Sequence, residues 1–382
     1  MPPLTPSPIV DRLRSGSLRP GIVSMEGDVV SLGSGDPDFE TPPLVVDAAI
    51  EALHDGWTHY GDLNGDPELR AEAALEASRV SGYTYGAEHV LITNGASSGA
   101  AAAMAAILSP GDKVLLPDPT YSLFSAAVHM AGAEAVYVPL DHTGHLDLDA
   151  IKDALPGCTA LILVNPSNPS GAVFSKEELT QLAELTSAHG VIVIADEVCD
   201  RFVFDGRSFT SALAIDAWRE QLIYCQSFSK SSAMTGWRVG YTVALRPLVD
   251  DIRLIHRNTL TSINAVAQRA ALVALRARSP WADSMRDVLQ DRRDFVVRGL
   301  QDVPGITVAV PEGGLFVFPR YNSLRPSLDV IKELAQAGVL ARAGREFGPA
   351  GEFHIRLSLT AEKDVLGEGV RRIADYFTAN HR

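Results

Sequence analysis

From residue 88 onward, short apolar runs alternate with helix-forming stretches, and this alternation leaves the chain few folds. His89-Val90-Leu91-Ile92-Thr93 is an apolar run of strand length. It leads through Asn94-Gly95-Ala96-Ser97-Ser98-Gly99 into an alanine-rich helix former over 100–108. Residues 114–116, 135–138, 160–164, 191–195 and 222–225 are further buried-strand candidates, with helical stretches such as 121–131 and 176–189 between some of them. Strands alternating with helices predict an α/β fold, here a mixed, mostly parallel, doubly wound sheet with helices on both faces.

After about 265 the texture changes. Residues 265–303 read as one or two long charged amphipathic helices. A strand over 306–310, a Gly313-Gly314 turn, a strand over 315–318, a helix over 328–338, a strand around 354–359 and a last helix over 361–379 follow. This predicts a smaller α+β domain over 266–382 beside a large domain over 46–265. Residues 1–45 are rich in Pro, Gly and Asp and predict an extended arm packed on the small domain. There is no internal repeat and no low-complexity linker.

The 382 residues carry a net charge of −14, which disfavours nucleic-acid backbones and anionic membrane surfaces as partners. Cys158, Cys199 and Cys225 match no zinc spacing, and a disulfide would leave one over. Reduced thiols in a cytoplasmic protein are the simplest expectation. The N-terminus lacks the basic and apolar regions of a secretion signal, and no apolar run is long enough to span a bilayer. No metal is expected.

The most informative segment for chemistry is Ser227-Phe228-Ser229-Lys230, with Gly236-Trp237-Arg238-Val239-Gly240-Tyr241 shortly after it. A Schiff-base lysine needs an amine beside a carbonyl cofactor, and a phosphorylated cofactor needs hydroxyls and a fixed cation at its other end. The bland alternative is a solvated lysine before a strand. The segment resembles the lysine segment of the fold-type I, pyridoxal-phosphate-dependent aminotransferases (class I/II). That resemblance implies pyridoxal 5′-phosphate as cofactor, Lys230 as its Schiff-base and catalytic residue, and amino-acid and keto-acid substrates.

Each task of holding such a cofactor has a candidate. A phosphate dianion wants N–H groups at a helix N-terminus. Ala96, Ser97 and Ser98 sit where a strand ends and the alanine-rich helix starts, although an ordinary helix cap reads the same way. Ser227, Ser229 and Arg238 would complete the anion site. A carboxylate beside the ring nitrogen keeps it protonated. Asp196 closes the run Val191-Ile192-Val193-Ile194-Ala195, and strand ends are where α/β sheets put their sites. IADEV resembles the family's aspartate motif.

Other matches extend the resemblance over 31–358. Asn165-Pro166-Ser167-Asn168-Pro169-Ser170-Gly171 resembles the family's NPxNPTG loop, which implies Asn168 as donor to the cofactor's 3′ oxygen and as a neighbour of the substrate. Asp118-Pro119-Thr120-Tyr121 implies Tyr121 as the stacking lid; a core tyrosine is the plain alternative. His354-Ile355-Arg356-Leu357-Ser358 implies Arg356 as the clamp on the substrate α-carboxylate, a task suited to a planar guanidinium. Gly33-Ser34-Gly35-Asp36-Pro37-Asp38-Phe39 implies Gly35 as a backbone contact to the same carboxylate. Pro311-Glu312-Gly313-Gly314-Leu315-Phe316 resembles the turn lining the substrate side. Tyr60 matches a tyrosine that reaches the phosphate of the neighbouring subunit, which implies a homodimer with shared sites.

One position departs from the pattern. The family's aspartate motif usually reads DExY, and its tyrosine hydroxyl bonds the 3′ oxygen. Here the run is Asp196-Glu197-Val198-Cys199, and a thiol is a weak donor. A lost hydroxyl donor costs about 0.5–1.5 kcal/mol, and the Schiff base is expected to hold its proton to higher pH. Neutral drift explains this, or else a reaction other than plain transamination. The expected activity is therefore aminotransfer, with β- or γ-elimination, replacement or cyclisation on the same scaffold as the alternative. A pyridoxal-binding module of a transcription regulator would need a basic DNA-binding segment; the arm before residue 31 is too short to hold one, and the net charge of −14 disfavours it. An unrelated α/β binding protein would have to carry every motif by accident. Arg257 is available for a second substrate carboxylate but has no assigned place.

Overall fold

A computed structural model describes residues 6–16, 28–277 and 280–380. A short strand, β1 (Val30–Ser31), precedes the seven strands of the main sheet. These are β2 (Val90–Thr93), β3 (Lys113–Asp118), β4 (Glu134–Pro139), β5 (Cys158–Val164), β6 (Ile192–Asp196), β7 (Leu222–Ser227) and β8 (Gly240–Val243). Their spatial order is β2-β8-β7-β6-β5-β3-β4. β3 through β7 run parallel, and β8 lies antiparallel between β7 and β2. The sheet is thus mixed and mostly parallel, as the alternation predicts.

Side chains alternate across the pleat, so each strand feeds two cores. Leu115, Leu161, Val193 and Ala195 face one side, with the helices Pro43–His54, Pro67–Ser81, Lys176–Ala188 and Ala265–Ala277. Val114, Leu116, Ile162 and Ile194 face the other, with Ala96–Ile107, Ser122–Met130 and Leu248–Thr259. Burial on both faces is why the strands read as unbroken apolar runs rather than alternating ones.

The C-terminal strands are short: β9 (Ile306–Thr307), β10 (Phe316–Val317), β11 (Arg320–Tyr321), β12 (Val339–Leu340), β13 (Arg342–Ala343) and β14 (Ile355–Ser358). With the helices Pro280–Leu300, Ser327–Gln336 and Lys363–Asn380 they enclose a separate core that includes Leu32, Leu289, Leu334 and Ile373. The helix Ala265–Ala277 instead contributes Ala270, Ala271 and Leu272 to the main core. We propose that the domain boundary falls between this helix and Pro280–Leu300, later than position 265.

The arm expected over 1–45 divides. β1 pairs in parallel with β12 and so joins the C-terminal unit. The helix Pro8–Gly16 lies against Ser122–Met130 on the main unit, where Arg12 Nε donates to the His129 carbonyl at 3.1 Å. Residues 1–5 and 17–27 of the arm lie outside the described residues.

Two helices between 43 and 81 carry readable start signals. Pro43 and Pro67 occupy first helical positions, and Asp66 Oδ1 accepts from the N–H groups of Glu68 (2.8 Å) and Leu69 (3.3 Å). Among the described residues no helix is long and apolar enough to cross a membrane.

Candidate active site

Asp118, Val164, Asp196 and Ser227 end β3, β5, β6 and β7, on the carboxyl edge where open α/β sheets place their sites. The segment Ser31–Asp36 and the β13/β14 region of the C-terminal unit close over this edge. Between them lies a cavity of about 580 Å³. Gly35, Ala96, Ser97, Tyr121, Asn168, Asp196, Cys199, Ser227, Ser229, Lys230, Arg238 and Arg356 all line it. Segments more than three hundred residues apart in sequence, Gly35 and Arg356 among them, thus converge on one cavity.

At one end the helix Ala96–Ile107 points its N-terminus into the cavity. Gly95 precedes it at φ +76°, a left-handed conformation that favours glycine, and a Cβ there would meet Arg238 Nη2 at 2.6 Å. Arg238 donates to the Thr235 carbonyl at 2.8 Å and reaches Ser229 Oγ at 3.5 Å. Ser227 and Ser229, both buried, bond each other through their hydroxyls at 2.8 Å. A helix N-terminus, a guanidinium and two hydroxyls make this end a pole for an anion.

Ser98 is not part of it. Its hydroxyl and its N–H both turn back to the Gly95 carbonyl, each at 3.2 Å, so both donors are used within the first helical turn.

Lys230 sits mid-cavity. Its Nζ donates to the Gly35 carbonyl at 2.6 Å. Burial pulls its pKa below the ordinary 10.5, the cations of Arg356 and Arg238 add to the effect, and Cys199 and Asp36 oppose it. Asp196 is buried, and burial raises its carboxyl to about 6 against the pull of the Val198 N–H and Lys230. Burial also pushes the Cys199 thiol up to about 12, so it stays neutral beside them. Glu197 points away from the cavity, accepting from Ser211 Oγ and the Ala212 N–H at 2.6 Å each, and anchors the turn after β6.

At the other end, buried Arg356 on β14 donates to the Gly33 carbonyl (2.8 Å) and to Asn168 Oδ1 (3.1 Å). Its guanidinium lies 3.8 Å from the centre of the Phe316 ring and 4.6 Å from that of Phe347. A Cβ on Gly35 would meet Phe316 Cζ at 2.6 Å, which is why this position carries no side chain. Gly35's carbonyl is directed to Lys230.

Tyr60 lies outside the cavity and is 88% exposed. Arg257 is exposed on the helix Leu248–Thr259 and is also outside. The cavity further holds Asp36 and Thr235, which lie within the glycine-arm and lysine segments, and Arg342, Glu346 and Phe347, none of which has a local sequence signal. Among the described residues no cluster of His, Cys, Asp or Glu is placed to hold a metal ion.

The buried acid has a thermodynamic signature. Asp196 shifts from an ordinary 3.8 to about 6, so the folded state disfavours its ionised form. The cofactor-free protein therefore loses stability as pH rises from about 4 through about 6, on the order of 3 kcal/mol in full from this group. Asp196→Asn removes that loss. Denaturant unfolding at pH 4, 5, 6 and 7.5 should show the variant gaining on the native chain up to pH 6 and levelling off beyond. A pH-independent difference contradicts this account.

Comparison with known proteins agrees with the geometry. The family model for aminotransferases of class I and II matches residues 27–373. The chain is 33% identical to an aspartate aminotransferase of Pyrococcus horikoshii over 353 residues, covering 91% of this chain and 90% of that protein. It is 36% identical to an arginine–pyruvate transaminase of Pseudomonas aeruginosa over 352 residues, covering 91% and 89%. Among solved structures, an aromatic aminotransferase from Pyrococcus horikoshii superposes with TM-score 0.90 at 31% identity, covering 97% of this chain and 99% of that one.

The chain belongs to the class I and II aminotransferases. It is a transferase that uses pyridoxal 5′-phosphate to move an amino group between an amino acid and a keto acid. The elimination, replacement and cyclisation chemistry raised by Cys199 finds no support in these relatives, each named for amino-group transfer.

Proposed function

We propose that this cavity is the transaminating site and that Lys230 carries the cofactor as a Schiff base. The observation that carries this reading is the convergence of an amine of lowered pKa, a buried acid and an anion pole in one cavity, with a buried arginine opposite. The residues fit a phosphorylated pyridine aldehyde. Gly95 leaves room at the helix N-terminus, and Arg238, Ser227, Ser229, Ala96 and Ser97 would hold the phosphate. Asp196 would pair with the ring nitrogen, which offsets the cost of its burial. Asn168 would donate to the 3′ oxygen and Tyr121 would cover the ring. Cys199, neutral and a weak donor, would leave the 3′ oxygen mainly to Asn168.

When bound, the cofactor supplies an electron sink for the charge left at Cα. The chain's own residues do the rest. Arg356 fixes the substrate by its α-carboxylate. Lys230, whose burial favours the neutral amine, takes the proton from Cα as general base and returns a proton as acid. Phe316 and Phe347 keep water from the Arg356 end. Borohydride reduction followed by peptide mapping tests the reading: the cofactor should appear on Lys230, and a label on another lysine refutes it. Mixing the holoenzyme with single amino acids should change its visible spectrum and release the matching keto acids.

We further infer a homodimer. Leu44, Ile50, Leu53, Trp57 and Leu63 are apolar yet exposed, on the helix Pro43–His54 and the loop after it, and Tyr60 stands among them. Exposed apolar side chains gathered in one stretch favour an interface, and a second copy seated there would bring Tyr60 to the neighbouring anion pole. Sedimentation should give a dimer. Tyr60→Phe should weaken cofactor binding roughly 2- to 10-fold, the value of one hydrogen bond. An active, cofactor-saturated monomer excludes the shared site. Three buried free thiols, Cys158, Cys199 and Cys225, support a cytoplasmic, reducing location.

A further inference from the structure

The Arg356 end of the cavity contains a second arginine that the transamination reading does not use. Arg342 on β13 is the direct cross-strand partner of Arg356 on β14. Opposed residues of an antiparallel pair project to the same face, and both arginines line the cavity. The Arg342 stem lies along Gly33, 3.6 Å from where a Cβ would be, and Gly33 is the residue whose carbonyl Arg356 bonds. The Arg342 side chain keeps 20% of its exposure.

Glu346 stands behind this pair, fully buried. One carboxylate oxygen accepts the Ala343 N–H at 3.1 Å, which locks the side chain to its own turn, and the other forms an ion pair with Arg342. Arg356 also acts on Glu346 electrostatically. Leu315, Phe316, Ile331, Leu340 and Phe347 give the cavity its apolar lining, with Ser31, Ser34 and Asn168 as uncharged polar neighbours.

We propose that Glu346 is a specificity-determining residue: by neutralising Arg342 it withholds that cation from substrate side-chain carboxylates, so that the enzyme prefers amino acids with uncharged, apolar side chains over dicarboxylic ones. This rests on the placement of Arg356 as the α-carboxylate clamp. A dicarboxylic substrate would have to displace Glu346 from Arg342 or lie beside a buried carboxylate, and like charges at that range repel. An apolar side chain meets the surrounding leucine, isoleucine and phenylalanine surface without that conflict.

Two substitutions of opposite sign test it. In Glu346→Gln the amide oxygen still accepts the Ala343 N–H while the negative charge is gone. The kcat/KM ratio of glutamate to leucine should rise at least about tenfold, the effect of one charged hydrogen bond. Binding of the unreactive dicarboxylate succinate to the holoenzyme, measured by calorimetry, should tighten in parallel. Arg342→Gln leaves Glu346 without its ion-pair partner and should lower the same ratio and weaken succinate. This second variant serves alone if Glu346→Gln does not fold. Wild-type enzyme that prefers glutamate or aspartate to leucine overturns the proposal, as does a ratio that either folded variant leaves unchanged or moves the opposite way. A wild-type protein that transaminates no amino acid, or carries its cofactor away from Lys230, fails the underlying reading instead, and the succinate titration still reports on Glu346.

Discussion

Lys230→Ala is expected to lower the rate of amino-group transfer by at least about 10²–10⁴-fold, the range for loss of a positioned general base, while the protein stays folded. Lys230 is the amine at the centre of the cavity, and burial favours its neutral form. The electrostatic part of the stability change is favourable. The lysine's folded pKa lies below its ordinary 10.5, so the folded chain carries a penalty while the amine is protonated, and that penalty is gone above about pH 10.5. At neutral pH alanine removes it, which offsets the lost bond to the Gly35 carbonyl. Stopped-flow half-reactions with leucine and alanine, together with a thermal melt, check both halves. Transfer within tenfold of the native rate would remove Lys230 from the proton transfer.

Arg356→Lys should reduce kcat/KM for amino acids by roughly 10- to 150-fold, equivalent to about 1.5–3 kcal/mol for charge-assisted hydrogen bonds. The charge is retained, so the loss isolates geometry. The guanidinium spans Gly33, Asn168 and the faces of two phenylalanine rings at once. An ammonium concentrates its donors at one point and cannot present a planar fork to a carboxylate. The cofactor spectrum and cofactor affinity should stay unchanged, since the anion pole is at the other end of the cavity. Substrate saturation identical to that of the native enzyme would reassign the clamp.

Both of these residues are announced by the sequence around them. Lys230 lies within a run of hydroxyl residues upstream of an arginine, and Arg356 lies in a short strand ending in serine, so both carry local patterns. Arg342 and Glu346 carry none. Their significance comes from strand pairing that sets Arg342 opposite Arg356 and from burial that makes their charges matter. Ser98 illustrates the converse. It belongs to the same Ala-Ser-Ser turn as Ser97, but one more residue of helical rotation carries its donors back to Gly95. The helix that begins at Ala96, rather than at 100, is the cause.

What the amino-acid sequence determined by itself is most strands of the main sheet and the chemistry carried at their ends; the strand Gly240–Val243 and the helices Pro43–His54, Pro67–Ser81 and Leu248–Thr259 were not legible in its periodicity. Apolar runs of three to five residues become strands, the inner ones buried on both faces and the edge strand β4 half-exposed, because the backbone can satisfy its polar groups in a ladder while the inner side chains meet helices. Gly95, Asp196 and Lys230 are set at strand and helix ends by turn and capping preferences that act over a few residues. Only the tertiary structure decided the order of assembly. β8 inserts antiparallel between β2 and β7, which sets Gly240 against Gln226 and Ala96, so closely that a Cβ would meet the Gln226 carbonyl at 2.5 Å. Lys230 meets the carbonyl of Gly35 across 195 positions of sequence. Such pairings are selected by the burial free energy of the whole chain, to which local periodicity contributes the parts and not their arrangement.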